Sequence, residues 1–129
     1  MNRIVAVPLV AVGGVRFGMK RDEVRQILGN AREFRKNQFS RNTTDDFGFC
    51  HVFYNADNEC EAIEVFPEVE ILVNGQIIMP SSLESIMGIA QDLHEDDGCL
   101  ISESLSIGIT ISSGNIESIL FGCQGYYTE

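Results

Sequence analysis

From Asn42 to the C-terminus the chain contains neither lysine nor arginine. All nine basic residues precede that point: Arg3, Arg16, Lys20, Arg21, Arg25, Arg32, Arg35, Lys36 and Arg41. Only Asp22, Glu23 and Glu33 stand among them, so residues 1–41 carry a formal +6 and the remainder, with sixteen acids, −16. Soluble domains ordinarily intersperse both signs on their surfaces. Here the later 88 residues can form no internal Lys or Arg salt bridge. Their fold must rest on apolar burial and backbone pairing. Their carboxylates must face water, the basic first third, or a cationic partner.

A chain of 129 residues, 44% hydrophobic and 22% charged, fits one domain spanning 1–129. No apolar run reaches the eighteen or so residues that a membrane helix needs. A net charge of −10 argues against binding to nucleic acid or an anionic membrane. Cys50, Cys60, Cys99 and Cys123 contain no C-x-x-C pair, so zinc-ligand spacing is absent and no metal site is expected. They sit in strand-like apolar runs, which suits reduced, buried thiols and a cytoplasmic location. Residues 4–12 could pass for a short signal-peptide core, but their β-branched content and the following Gly13-Gly14 favour a first strand interrupted at Pro8.

Along the chain, Met19, Val24, Ile27 and Leu28 fall at helical spacing, with Lys20, Arg21, Arg25 and Gln26 expected to face out and Gly29 as the stop. This predicts a helix over about 20–28. Residues 32–39 allow a short strand with Phe34 and Phe39 as anchors, and 40–46 read as a loop. Strands are predicted at 47–54 and 60–66 around the turn Asn55-Ala-Asp-Asn58. Asn74-Gly75 predicts a hairpin between 69–73 and 76–79. After Pro80, a second helix is expected, with Leu83, Ile86, Met87, Ala90 and Leu93 on one face, ending at His94-Glu-Asp-Asp-Gly98. Strands follow at 99–101, 105–111 and 116–121. Cys60-Glu-Ala-Ile-Glu-Val65 echoes Ile116-Glu-Ser-Ile-Leu-Phe121. The expected fold class is α+β: an antiparallel sheet with two helices packed on one face, an arrangement consistent with two helix-plus-meander halves.

The chemistry-bearing candidates are few. His94-Glu-Asp-Asp97 with Cys99 offers metal-ligand types, but contiguous helical residues diverge by about 100° each and would not converge, so a solvated helix end is the simpler reading. Cys50 and His51, adjacent in a strand, point to opposite faces and cannot act as nucleophile and base. Arg16, Lys20 and Arg21 beside a helix start could hold an anion. No G-x-G-x-x-G or Walker pattern occurs. No catalytic residue and no cofactor is therefore assigned.

The stretch Phe17-Gly-Met-Lys-Arg-Asp-Glu-Val-Arg-Gln-Ile-Leu-Gly29 resembles the opening motif of small bacterial α+β domains, including outer-membrane assembly lipoproteins and β-lactamase-inhibitor-like domains, although Lys20 replaces their usual Ser or Thr. With the Tyr54-Asn-x-Asp-Asn58 turn, the Val73-Asn-Gly75 turn and the closing Gly125-Tyr-Tyr127, the whole pattern is similar to small immunity proteins of bacterial contact-dependent inhibition and related polymorphic toxin systems. That resemblance implies a cytoplasmic, acidic, non-catalytic protein that binds and blocks one toxin domain, often a nuclease. The charge split fits such a role, since a basic partner is attracted and selected by an acidic surface. The acids expected on loops are the candidate contacts: Asp45, Asp46, Asp57, Glu59, Asp92, Glu95, Asp96 and Asp97, with Tyr126 and Tyr127 as aromatic anchors. The competing expectation is a small-ligand-binding or enzymatic domain that uses a cleft beside the sheet.

Overall fold

A computed structural model describes residues 3–35, 38, 42–79, 87–88 and 90–127. The N-terminal segment forms β1 (Arg3–Val7), β2 (Ala11–Val12) and β3 (Val15–Arg16), followed by the helix α1 (Arg21–Leu28). Next come β4 (Arg32–Phe34), β5 (Thr44–Asp46), β6 (Cys50–Tyr54) and β7 (Cys60–Val65). The hairpin β8 (Glu70–Val73) and β9 (Gln76–Met79) precedes a four-stranded meander of β10 (His94–Asp96), β11 (Cys99–Ser102), β12 (Ile107–Ser112) and β13 (Asn115–Gly122).

These strands form two sheets. One has five strands in the order β3-β2-β1-β8-β9, and the other has eight in the order β10-β11-β12-β13-β7-β6-β5-β4. The fold is therefore mostly β, and the α+β expectation of one antiparallel sheet carrying two helices is overturned. Among the described residues α1 is the one helix with a full span, and Met87 is also helical. Most of the expected second helix, residues 80–86 and 89, lies outside the described residues. Its expected end is not helical: Gln91 and Asp92 form a turn, and His94–Asp96 is a strand. The split into helix-plus-meander halves fails with it. The two echoing segments are instead neighbours, β7 and β13, paired antiparallel with Ile63 opposite Phe121 and Val65 opposite Ile119.

The first sheet is tied together by β1 and β8, which run parallel with Ile4 opposite Ile71. Alternation on β1 buries Ile4 and Ala6 and exposes Arg3, Val5 and Val7. A single hydrophobic cluster joins this inner face to that of the larger sheet, where Val52, Ile63, Val65, Ile109, Ile119 and Phe121 are buried. Helix α1 adds Val24, which is wholly buried, while Ile27 is 47% exposed, contrary to its expected inward place. The helix starts without a side-chain acceptor at Lys20. The Glu23 carboxylate instead reaches back to accept the Lys20 N–H at 3.3 Å, satisfying one of the otherwise orphaned donors.

Three hairpins share one turn conformation. Asn74-Gly75, Asp97-Gly98 and Ser113-Gly114 all have positive φ at both residues, 52° and 79°, 53° and 85°, and 53° and 80°. That is the turn whose twist matches paired strands.

Candidate functional site

Residues 44–46, read from sequence as loop, form β5 and place Asp45 in the interior, fully buried. A lone carboxylate there would be prohibitive without partners. Three side chains supply them. Arg25 donates from Nε to Oδ2 at 2.9 Å and from Nη2 to Oδ1 at 2.7 Å, and the Tyr54 hydroxyl donates to Oδ2 at 2.9 Å. Arg21 stands 3.8 Å away and lays its guanidinium over the Tyr54 ring at 4.1 Å. Burial disfavours the Asp45 charge, but the Arg25 and Tyr54 hydrogen bonds and the two guanidinium charges outweigh it and hold the carboxyl below its usual range. Arg21 also reaches Thr43 Oγ1 at 2.9 Å and the Thr43 carbonyl, while Arg25 Nη2 bonds Glu33 at 2.6 Å. The cluster bolts α1 onto β4, β5 and β6. Asp45 is thereby removed from any docking surface, and Arg21, expected to face water, is part of the interior.

Other candidate acids are also engaged by the protein itself. Glu59 lies 3.4 Å from Lys20 Nζ and accepts from Asn55, and both interactions hold it below the ordinary carboxylate range. Asp57 is exposed in the same β6–β7 turn, with its carbonyl 3.4 Å from Lys20 Nζ. Asp46 accepts from the Gly48 N–H at 2.8 Å and lies 3.6 Å from His51. The Asp92 carboxylate accepts from Ser102 Oγ at 2.6 Å and from the Ser104 N–H at 2.9 Å, bonds that lower its pKa to about 2 and fasten the 102–105 turn.

Glu95, Asp96 and Asp97 stand apart. They lie on β10 and its turn, all exposed, and form no ion pair among the described residues. Strand β10 is one edge of the eight-stranded sheet, and among the described residues no strand pairs with its outer backbone groups. Beside it is a shallow groove of about 200 Å³ of mixed polarity, lined by Glu95, Gly98, Cys99, Leu100 and Ile111. Further along the same meander, Glu103 and Glu117 are exposed as well. The eight acids named from sequence therefore do not form one patch. Asp45, Asp57 and Glu59 belong to the helix side, and Glu95, Asp96 and Asp97 form the one run of consecutive candidate acids that is exposed with no ion pair among the described residues.

Tyr126 and Tyr127 do not extend into solvent as free anchors. The final turn folds them, half-buried, onto the outer face of the larger sheet. Tyr127 covers Gly108, and Tyr126 covers Gly122, where an added Cβ would lie 2.6 Å from the tyrosine Cβ. Their rings meet edge to face at 5.2 Å, and burial pushes the Tyr126 phenol up to about 12. The same outer face carries a cross-strand row in which Glu64 opposes His51 and His51 opposes Asp46, with His51 edge-on to Phe34 and Phe66 at 5.0 and 4.8 Å. Ser118 donates to Glu64 at 2.6 Å.

The sequence held a signal for the acidic hairpin. Asp97-Gly98 is a strong two-residue hairpin pair, and reading it as a helix end masked the strand before it. For Asp45 no local signal exists, because the arginines that offset its charge are 20 and 24 residues upstream. Among the described residues, no three His, Cys, Asp or Glu side chains are grouped to hold a metal ion, and all four cysteines are free thiols. No helix of the described residues is long and apolar enough to cross a membrane. Comparison with known protein families, characterised proteins and solved structures finds no match.

Proposed function

We propose that this chain is a cytoplasmic immunity protein that binds and neutralises a basic toxin domain, with nuclease domains the natural class of partner because they must themselves attract a polyanion. The observation that carries this reading is the β10–β11 hairpin. It holds Glu95, Asp96 and Asp97 exposed on a strand that, among the described residues, is a sheet edge, beside a groove that includes Leu100 and Ile111. Among the described residues no ion pair neutralises it. Arg3, Lys20, Arg21 and Arg25 all form ion pairs elsewhere, with Glu70, Glu59, Glu33 and Asp45. Such an edge can accept a partner strand through backbone hydrogen bonds while its carboxylates select for basic side chains. Charge-assisted bonds to arginine would add affinity once the partner is seated.

The test is co-expression with the C-terminal domain encoded by the open reading frame directly upstream. Rescue of growth and a one-to-one complex are expected. A toxin that stays lethal, with no complex on co-purification, defeats the proposal for that pair. Contact residues are tested by neutralising the hairpin with Glu95→Gln, Asp96→Asn and Asp97→Asn together. Asn is chosen at 97 because φ is 53° there, a conformation Asn tolerates. The association rate at low salt should drop by about tenfold, with a shallower salt dependence and an unchanged circular dichroism spectrum. Equal association rates would leave the hairpin as solvated surface.

A further inference from the structure

Between the two sheets lies a cavity of about 220 Å³, and its walls are mostly apolar. Ile4 and Val12 contribute from the smaller sheet, Cys50, Ile63 and Val65 from the larger, with Arg3 at the rim. Native interiors hold few voids larger than one water. An engineered apolar cavity of about 150 Å³ stays dry and takes up benzene. A space half as large again, open at one side and walled by members of the core cluster, is not a packing remnant of ordinary size. Its deep lining residues are buried, whereas Gly13, Leu28 and Phe49 are partly exposed and Arg3 is exposed, which places the mouth between β1, the end of α1 and the turn before β6.

We infer that this cavity is a binding site for a compact apolar molecule of about eight to ten non-hydrogen atoms. The size follows from the volume. The Arg3 guanidinium supplies no anchor for a polar head: Arg3 is on the exposed face of β1, and its Nε and Nη2 both donate to one oxygen of Glu70, at 3.2 and 3.0 Å. The body of the ligand would lie against Ile63 and Val65. Cys50 is compatible with such a guest: burial pushes its thiol up to about 12, so it presents a neutral, weakly polar wall. The cavity shares no residue with the acidic hairpin, so either site can fail without the other.

The test is a titration of the full ¹⁵N-labelled chain with 1-octanol. Saturable shifts are expected at the amides of Val12, Ile63 and Val65, with a dissociation constant below about 1 mM. Absent shifts, or shifts confined to the exposed Val5 and Ile77 of the outer face, overturn the site. Val65→Phe, which fills the space, should weaken binding at least tenfold. Should that variant fail to fold, Val69→Phe at the cavity margin serves instead, and binding undiminished in a folded filled variant overturns the site equally.

Discussion

Asp45 shows how a single residue sets both stability and its pH dependence. It is fully buried, and its charge is tolerated because Arg25 grips both oxygens and Tyr54 donates to one of them. Removing one partner of a buried pair costs roughly 3–5 kcal/mol, because the other charge is left without compensation. Arg25 keeps Glu33 and is one-third exposed, which softens that loss. Asp45→Asn should therefore cost about 3 kcal/mol by urea denaturation at pH 7. Tyr54→Phe, which deletes one hydrogen bond, should cost about 1 kcal/mol. The pH dependence has a definite sign. The folded carboxyl titrates below its unfolded value of about 3.9, so its contribution is complete above that pH and is lost as pH falls through the folded value. The gap between wild type and Asp45→Asn should accordingly close on acidification below about pH 4. A gap that persists undiminished to pH 2 would show that Asp45 is not an ionised acceptor. Nothing in the local sequence foretells this role. Ser40-Arg-Asn-Thr-Thr-Asp-Asp46 is polar throughout and reads as loop, because hydropathy registers the cost of burying a carboxylate but not the arginines that offset it.

Elements whose signal is local were legible. The spacing of Val24 and Leu28 gave α1 to within one residue, and Asn74-Gly75 gave the β8–β9 hairpin. What sequence could not supply was the division into two sheets. That depends on β1 pairing parallel with β8, a contact that spans 67 residues between Arg3 and Glu70 and has no turn to announce it. The acidic run 94–97 was misread because its charges suit a helix end as well as a strand at a sheet edge. The hairpin turns allow a comparison between elements. Gly98 and Gly114 both sit at positive φ with open space around them, so alanine at either costs only backbone strain, on the order of 1–2 kcal/mol. Gly114 joins β12 to β13 inside the sheet, whereas Gly98 joins β10 to its one neighbour at the edge. Gly114→Ala should lower global stability by the full amount. Gly98→Ala should instead speed amide exchange at 94–101 and leave the global midpoint nearly unchanged, because edge elements open locally. Equal losses of global stability would make β10 part of the cooperative unit.

At the scale of the molecule, two electrostatic effects of opposite sign coexist. The cations form short-range pairs on the helix side and at β1, some of them partly buried and weakly screened. The carboxylates of the β10–β13 meander, Glu95, Asp96, Asp97, Glu103 and Glu117, form no ion pair among the described residues, and the chain carries −10 overall. Exposed like charges repel through solvent and destabilise the compact state, and that repulsion is what salt removes. The Debye length shrinks from about 30 Å at 0.01 M to about 8 Å at 0.15 M, enough to uncouple acids on neighbouring hairpins while the contacts around Asp45, at 2.7–2.9 Å, persist. The isolated protein at pH 7 should therefore melt at a higher temperature as sodium chloride rises over that range. Protein–partner association should slow over the same range, because the charges that strain the free protein are those that attract the partner. Calorimetry on the free chain and stopped-flow mixing with the partner would measure the two responses. A melting temperature that falls with salt would mean the internal pairs outweigh the acidic repulsion, and the unbalanced surface that the docking proposal needs would then be absent.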